Sequence, residues 1–173
     1  GQIKSEKNYK DGKEDGKFTY WYDNGQTKQE GNFKDDNFDG KWTIWYENGQ
    51  VNQIENWIDG KKDGTQTVWY ENGQKRSEGN AKDGNRDGIW TFWDKNGQID
   101  SKGNYKYGNL IGETRYSYYE NGQIRSEVNV KEDKLEGKYT WWYENGQIKS
   151  EKNYKDGKQN GKWTWWNENG QMK

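Results

Sequence analysis

The 173-residue sequence contains no cysteine, no histidine and no proline, and only one methionine. Lack of cysteine rules out disulfide staples and thiolate nucleophiles. Lack of histidine as well removes imidazole bases and the usual zinc ligand sets. With no proline, no strand is interrupted by a missing backbone donor. Hydrophobic residues make up 27% of the chain, well short of the ~45–50% of an ordinary globular domain, so a two-layer buried core is hard to build. No run of ~18 apolar residues is present to cross a bilayer as a helix. Net charge is also nearly absent. The 28 Lys and Arg and 29 Asp and Glu leave −1, and the signs alternate instead of clustering. There is no basic stripe to neutralise phosphates, so no nucleic-acid partner is expected.

What the chain does have is rings. Aromatic residues are 17% of it, with 12 Trp and 13 Tyr, which sets it apart from disordered chains of equally low hydrophobicity. It also has one repeated phrase, Trp141-Trp142-Tyr143-Glu144-Asn145-Gly146-Gln147-Ile148. Asn-Gly-Gln recurs at Asn24, Asn48, Asn72, Asn96, Asn121, Asn145 and Asn169, at a spacing of 24 residues with one step of 25. Asn-Gly is the preferred centre of a two-residue type I′ turn, and alternating rings and polar residues lead into it, so each copy reads as a hairpin tip. A fixed period of this length marks a repeat protein. Repeats start at Gly1, Gly25, Gly49, Gly73, Gly97, Gly122 and Gly146, with another begun at Gly170, making residues 1–173 a single array. Within each, a strand such as Ile3–Tyr9 leads through a turn, Lys10–Gly16, to a returning strand, Phe18–Tyr22. The predicted fold is all-β: an elongated, single-layer antiparallel sheet of successive hairpins, about 14 strands.

A two-residue tip loop fixes a register. It pairs Tyr20 with Gln29, Phe18 with Gly31 and Trp21 with Lys28. One face then carries Ile3, Tyr9, Phe18, Tyr20, Tyr22, Phe33, Trp42, Ile44 and Tyr46. The other carries Lys4, Glu6, Asn8, Thr19 and a ladder of Trp residues. On the same register Trp69 meets Arg76, Tyr118 meets Arg125, Trp142 meets Lys149 and Trp166 meets Lys173 as cross-strand cation–π pairs. Gly31, Gly79 and Gly103 lie on the ring-bearing face, with Phe18 opposite Gly31 and Trp90 opposite Gly103, so that a ring covers a strand glycine. The third repeat departs from this, with Glu55 for the glycine and Gln66 for the ring. The fifth has one extra residue within Gly112–Tyr119, expected to form a bulge.

The unit Ser-Glu-Gly-Asn-x-Lys-Asp-Gly-x-x-Asp-Gly-x-Trp-Thr-x-Trp, from Ser77 to Trp93, resembles a MORN repeat. It is most similar to the longer bacterial variant found in YwqK-family antitoxins. The resemblance implies an elongated sheet of hairpins that holds a protein partner on its aromatic side, with membrane contact and scaffolding known in other members. Trp69-Tyr70-Glu71-Asn72-Gly73 also resembles choline-binding cell-wall repeats, where rings cage quaternary ammonium.

Catalytic chemistry has little to build on. Glu6, Glu30, Glu78, Glu127 and Glu151 recur as a row, which reads as a solvated face. Asp35–Gly40 and Asp83–Gly88 begin like calcium loops, but Tyr46 and Asp94 stand where the bidentate Glu is needed. Neither a metal site, a cofactor nor enzymatic activity is expected. The favoured function is protein binding, antitoxin-like, immunity-like or scaffolding, with Ile44, Tyr46, Trp57, Val68, Tyr70, Phe92 and Tyr105 as the contact strip. The alternative is a surface module for cell-wall glycan or choline. Removing Tyr46 and Tyr70 is expected to weaken a partner, and charge changes at Lys28 or Lys149, on the other face, to matter little. The chain begins and ends in mid-repeat, which suggests a trimmed piece and leaves open edges at Gln2–Lys10 and Trp163–Trp166 that favour weak self-association. A bacterial cytoplasm is favoured over the cell surface or periplasm.

Overall fold

The computed structural model describes residues 3–173; Gln2, expected in the first strand, lies outside them. The described chain is one antiparallel sheet of 16 strands. Fourteen follow one another in chain order from Ser5–Lys10 to Lys158–Gln159. Lys61–Lys62 and Thr164–Trp165 sit off that path, because the strands holding them are interrupted, at Asp63 and at residues 160–163. Among the described residues Trp42, Ala81, Trp90 and Val130 are the buried hydrophobic ones, too few for a second layer.

Two kinds of turn join the strands, and they are the reverse of what Asn-Gly suggests. The type I′ turns are at the Asp-Gly end. Asp11 and Gly12 have φ of 51° and 84° between the paired Lys10 and Lys13, and Asp83 and Gly84 repeat this between Lys82 and Asn85. Asp36 and Asp133 hold the second central position at φ of 67° and 58°, where a short polar side chain tolerates the left-handed region. The Asn-Gly tips instead form three-residue loops. Gly25 N–H donates to the Tyr22 carbonyl, Tyr22 N–H donates to the Gln26 carbonyl, and only Gly25 (φ 84°) is left-handed. This is a type I turn closed by a left-handed glycine. Asn24 Oδ1 accepts from the Gln26 N–H at 2.9 Å and locks the bend.

The longer loop corrects the expected register near the tips. Trp21 pairs with Thr27, Lys28 is bulged out, and Tyr20 again pairs with Gln29. The pairing of Phe18 with Gly31 holds. The cation–π pairs therefore do not form as expected. Lys28 Nζ lies 5.3 Å from the Tyr22 ring, Arg76 5.9 Å from Tyr70 and Lys149 5.3 Å from Tyr143. Those rings belong to the opposite face from the Trp ladder, so Lys28 and Lys149 sit on the ring-bearing face and not where the shorter loop would put them.

Glycines in the strands are covered by rings, though from the following strand. A Cβ on Gly31 would lie 2.2 Å from the Trp42 ring, and one on Gly79 would lie 2.4 Å from Trp90. Each indole lies across its glycine and donates from Nε1 to the Asn32 or Asn80 carbonyl, at 3.0 and 2.9 Å. The odd third repeat is a coupled replacement of this plug. Gln66 Nε2 donates to the matching Asn56 carbonyl at 3.1 Å, and because no ring needs the space, Glu55 fits where the glycine stood. Glu55 is buried and bonded by Trp57 Nε1 at 3.0 Å, by Gln53 and by Lys62. Gln66 Oε1 is buried without a partner among the described residues.

The fifth repeat differs in a way the expected bulge does not capture. In a regular repeat two extra residues bulge at this place: Glu78 pairs with Thr91 and Asn80 with Asp87, so Gly88, Ile89 and Trp90 face Gly79 alone. Here Asn104 pairs with Gly112 and Tyr105 with Leu110, leaving only Ile111 over. One residue more in the chain and one fewer in the bulge slide the strand by two. Arg115, seven residues before its tip glycine, takes the pairing place that Phe92 takes at five. No ring lies flat on Gly103, whose Cβ would instead meet Tyr105 and Leu110.

A candidate partner-binding face

Register places all seven candidate residues on one face, because pairing and alternation connect them. Ile44, Val68 and Phe92 form a row with Gln53 and Ser77 between them. All three are half-buried. Tyr46 and Tyr70 lie one step toward the tips, Trp57 and Tyr105 toward the Asp-Gly turns.

Their surroundings divide them. Tyr46 and Tyr70 donate their hydroxyls to the Trp69 and Trp93 carbonyls of the next tip, at 2.6 and 2.9 Å. Tyr22, Tyr119 and Tyr143 do the same to Trp45, Trp142 and Trp166. These tyrosines stitch repeat to repeat, so their removal would loosen the array as well as any contact. Burial, reinforced by Glu47 and Glu71, holds the Tyr22 pKa above its ordinary value. Trp57 packs 4.9 Å from Phe38, which joins Phe18, Phe33 and Trp42 in a cluster of rings. Tyr105 accepts from Arg86 Nη1 at 3.1 Å, and that guanidinium also lies 4.5 Å from Trp90 and 5.3 Å from Phe92. Ile44 and Val68 have no such role among the described residues, whereas Phe92 stacks on Trp90 with ring centroids 6.5 Å apart and lies under the same guanidinium.

Charge is divided between the faces, although the whole chain is nearly neutral. Three acids of the ring-bearing face are matched: Glu14 by Lys7, Glu55 by Lys62 and Glu113 by Arg115. Lys28, Arg76, Arg86, Arg125, Lys149 and Lys152 of this face form no ion pair among the described residues. The opposite face carries a ladder in which Thr19 pairs with Glu6 and Glu30, Thr67 with Glu78, and Thr140 with Glu127 and Glu151. Asp39 and Asp87 extend this acidic side toward the turns. Lys17, Lys75 and Lys138 pair with Glu30, Glu78 and Glu151 and offset part of it.

Near the C-terminal end of the ring-bearing face is a hollow of about 260 Å³, lined by Tyr119, Arg125, Trp141, Lys149, Ser150 and Trp165, with Trp142. Burial lowers the pKa of nearby Lys152, whose Nζ lies 4.7 Å from Trp141 and 3.8 Å from Trp163. A reading with two-residue tips misses this site because it sends Lys149 to the other face. The signal for the longer loop is the polar residue before every tip Asn (Asp23, Glu47, Glu71, Lys95, Glu120, Glu144 and Glu168), which suits a loop position better than a strand.

A chain of stitched hairpins with this turn spacing is a solenoid-like single sheet, a class of binding scaffold. The family model for the MORN repeat variant matches residues 14–35, 38–59, 62–83, 86–107, 114–132, 135–156 and 159–173, and the chain belongs to that family. The interval between matches is two residues except at 108–113, the site of the two-residue slide. Repeats of this family are commonly protein- or membrane-binding modules and generally non-enzymatic. No curated protein matches the chain.

Proposed function

We propose that this protein is a non-enzymatic binding module that captures a protein partner on its ring-bearing face, in an antitoxin-like or immunity-like role. The observation that carries the reading is the row of Ile44, Val68 and Phe92: half-buried apolar side chains, side by side on a sheet with no second layer over it. Tyr46, Tyr70, Trp57 and Tyr105 frame that row, and large rings with a polar handle are the usual anchors of an interface. The antitoxin role rests on the sequence resemblance alone. A choline cage is disfavoured, because several ring faces already carry the protein's own cations, as Lys28 does on Tyr20 and Tyr22 and Lys152 on Trp141 and Trp163.

The test is capture from a lysate of the source organism with tagged protein. Ile44→Ser with Val68→Ser and Phe92→Ser is expected to lose the captured protein, a cost of about 2 kcal/mol or more. Trp45→Ser with Trp69→Ser, on the other face, is expected to keep it. Both variants are first checked for a cooperative melt. Loss in the second variant and retention in the first would sink the proposal.

A further inference from the structure

We infer that the hollow bounded by Arg125 and Lys149 anchors a carboxylate of an acidic peptide segment on the partner; this rests on the protein-binding reading of the same face. Both cations are exposed and neither has an acidic partner among the described residues. Arg125 is held from the side, its Nε donating to Ser117 Oγ at 3.3 Å, which leaves other guanidinium donors for a ligand. Lys149 rests over Tyr143, so its stem is oriented while its charge stays in water. Trp141 and Trp165 wall the hollow, and buried Ser150 lies at its floor. A volume of about 260 Å³ suits a side chain and not a nucleic-acid backbone.

The rest of the row favours a protein over a polyanion. At the tip position that holds Arg125 and Lys149, the other repeats hold Lys4, Lys28, Asn52, Arg76, Asp100 and Lys173. A continuous phosphate backbone or a charged bilayer would meet Asp100 in mid-row. A peptide places its carboxylates one at a time and can avoid it. The same argument gives direction, because the opposite face presents the glutamate row and would repel the same ligand.

The probe is a fluorescein-labelled peptide of alternating Glu and Tyr, titrated at low salt and read by anisotropy. Single-stranded oligonucleotide and phosphatidylglycerol vesicles serve as competing probes. Wild type is expected to bind the peptide and to weaken as salt rises. Arg125→Glu with Lys149→Glu is expected to lose about tenfold or more in affinity, and the milder Arg125→Gln with Lys149→Gln to fall in between. Lys41→Glu with Lys102→Glu, on the other face, is expected to change little. The inference is overturned if wild type ignores the peptide, if the reversal leaves binding intact in a folded protein, or if oligonucleotide or vesicles displace the peptide. If lysate capture still depends on Ile44, Val68 and Phe92 while charge reversal has no effect, the face reading stands and the carboxylate anchor falls.

Discussion

The tips from Gly25 to Gly73 and the stretch from Asp94 to Gly122 share nearly the same phrase, but they are joined to their neighbours differently. In the regular stack each tip gives two bonds to the next. Tyr22 and Asn24 reach the carbonyls of Trp45 and Glu47, and Tyr46 and Asn48 reach those of Trp69 and Glu71. The Asp-Gly edge is tied as well, with Gly60 N–H on the Phe38 carbonyl and Gly84 N–H on that of Lys62. At the fourth tip Asp94 replaces the tyrosine and turns inward, accepting the Asn96 and Gln98 N–H groups at 2.8 and 3.0 Å. A long Gln98-to-Gly122 contact of 3.5 Å remains across to the next tip, and Tyr118 of the next strand donates its hydroxyl back to the Ile99 carbonyl at 2.9 Å. On the other edge no bond from Asp133 N–H takes the place of the Gly60 and Gly84 bonds among the described residues. The strand Asn109–Tyr118 thus keeps its ladder, the Tyr118 bond to Ile99 and the Gly108 N–H bond to the Arg86 carbonyl, but among the described residues it lacks the tyrosine stitch from the fourth tip and an Asp133 N–H bond from the following turn. A hollow of about 540 Å³ opens beside it, lined among others by Ile89, Ile111 and Gly112.

The largest expected contrast is between glycines. Gly79→Ala drives a methyl into the Trp90 ring and is expected to cost about 3 kcal/mol. Gly112→Ala, whose Cβ would meet only the Val130 carbonyl at 4.0 Å, is expected to be neutral or to stabilise by about 0.5 kcal/mol. Urea melts of both variants check this, and equal losses would break the contrast. Next in size is the polar plug of the third repeat. Gln66→Trp alone forces an indole against Glu55 and is expected to lose about 2 kcal/mol. Adding Glu55→Gly restores the regular plug and is expected to recover the whole loss, a coupling that a double-mutant cycle reads directly. The smallest effect concerns the tips. Tyr70→Phe is expected to lose about 1 kcal/mol with its bond to the Trp93 carbonyl. Asp94→Tyr is expected to gain less than about 0.5 kcal/mol, because the two-residue slide carries the Tyr118 carbonyl out of step with it.

The period, the single layer, the two faces and the row of Ile44, Val68 and Phe92 were legible in the sequence, because alternation and spacing dictate them. The tip geometry was not. Asn-Gly fits both a two-residue type I′ loop and the last two places of a three-residue loop, and one residue of difference moved Lys28 and Lys149 to the ring-bearing face. The plug was half legible. Glu55 and Gln66 stood out as joint departures, but that Trp42 rather than Phe18 covers Gly31 depends on a two-residue bulge that leaves no periodic trace. The slide at Arg115 was hidden for the same reason, since counting residues gives one insertion where the pairing moves by two.

Native-state hydrogen exchange tests most directly whether edge stitches, and not ladder pairing alone, hold the array together. Amides at Ser101–Asn104 and Gly112–Arg115 are expected to exchange through an opening about 1–2 kcal/mol easier than that of the matching amides at Gln29–Asn32 and Lys41–Ile44. Equal protection in the two places, or an easier opening at Gln29–Asn32, would contradict the account.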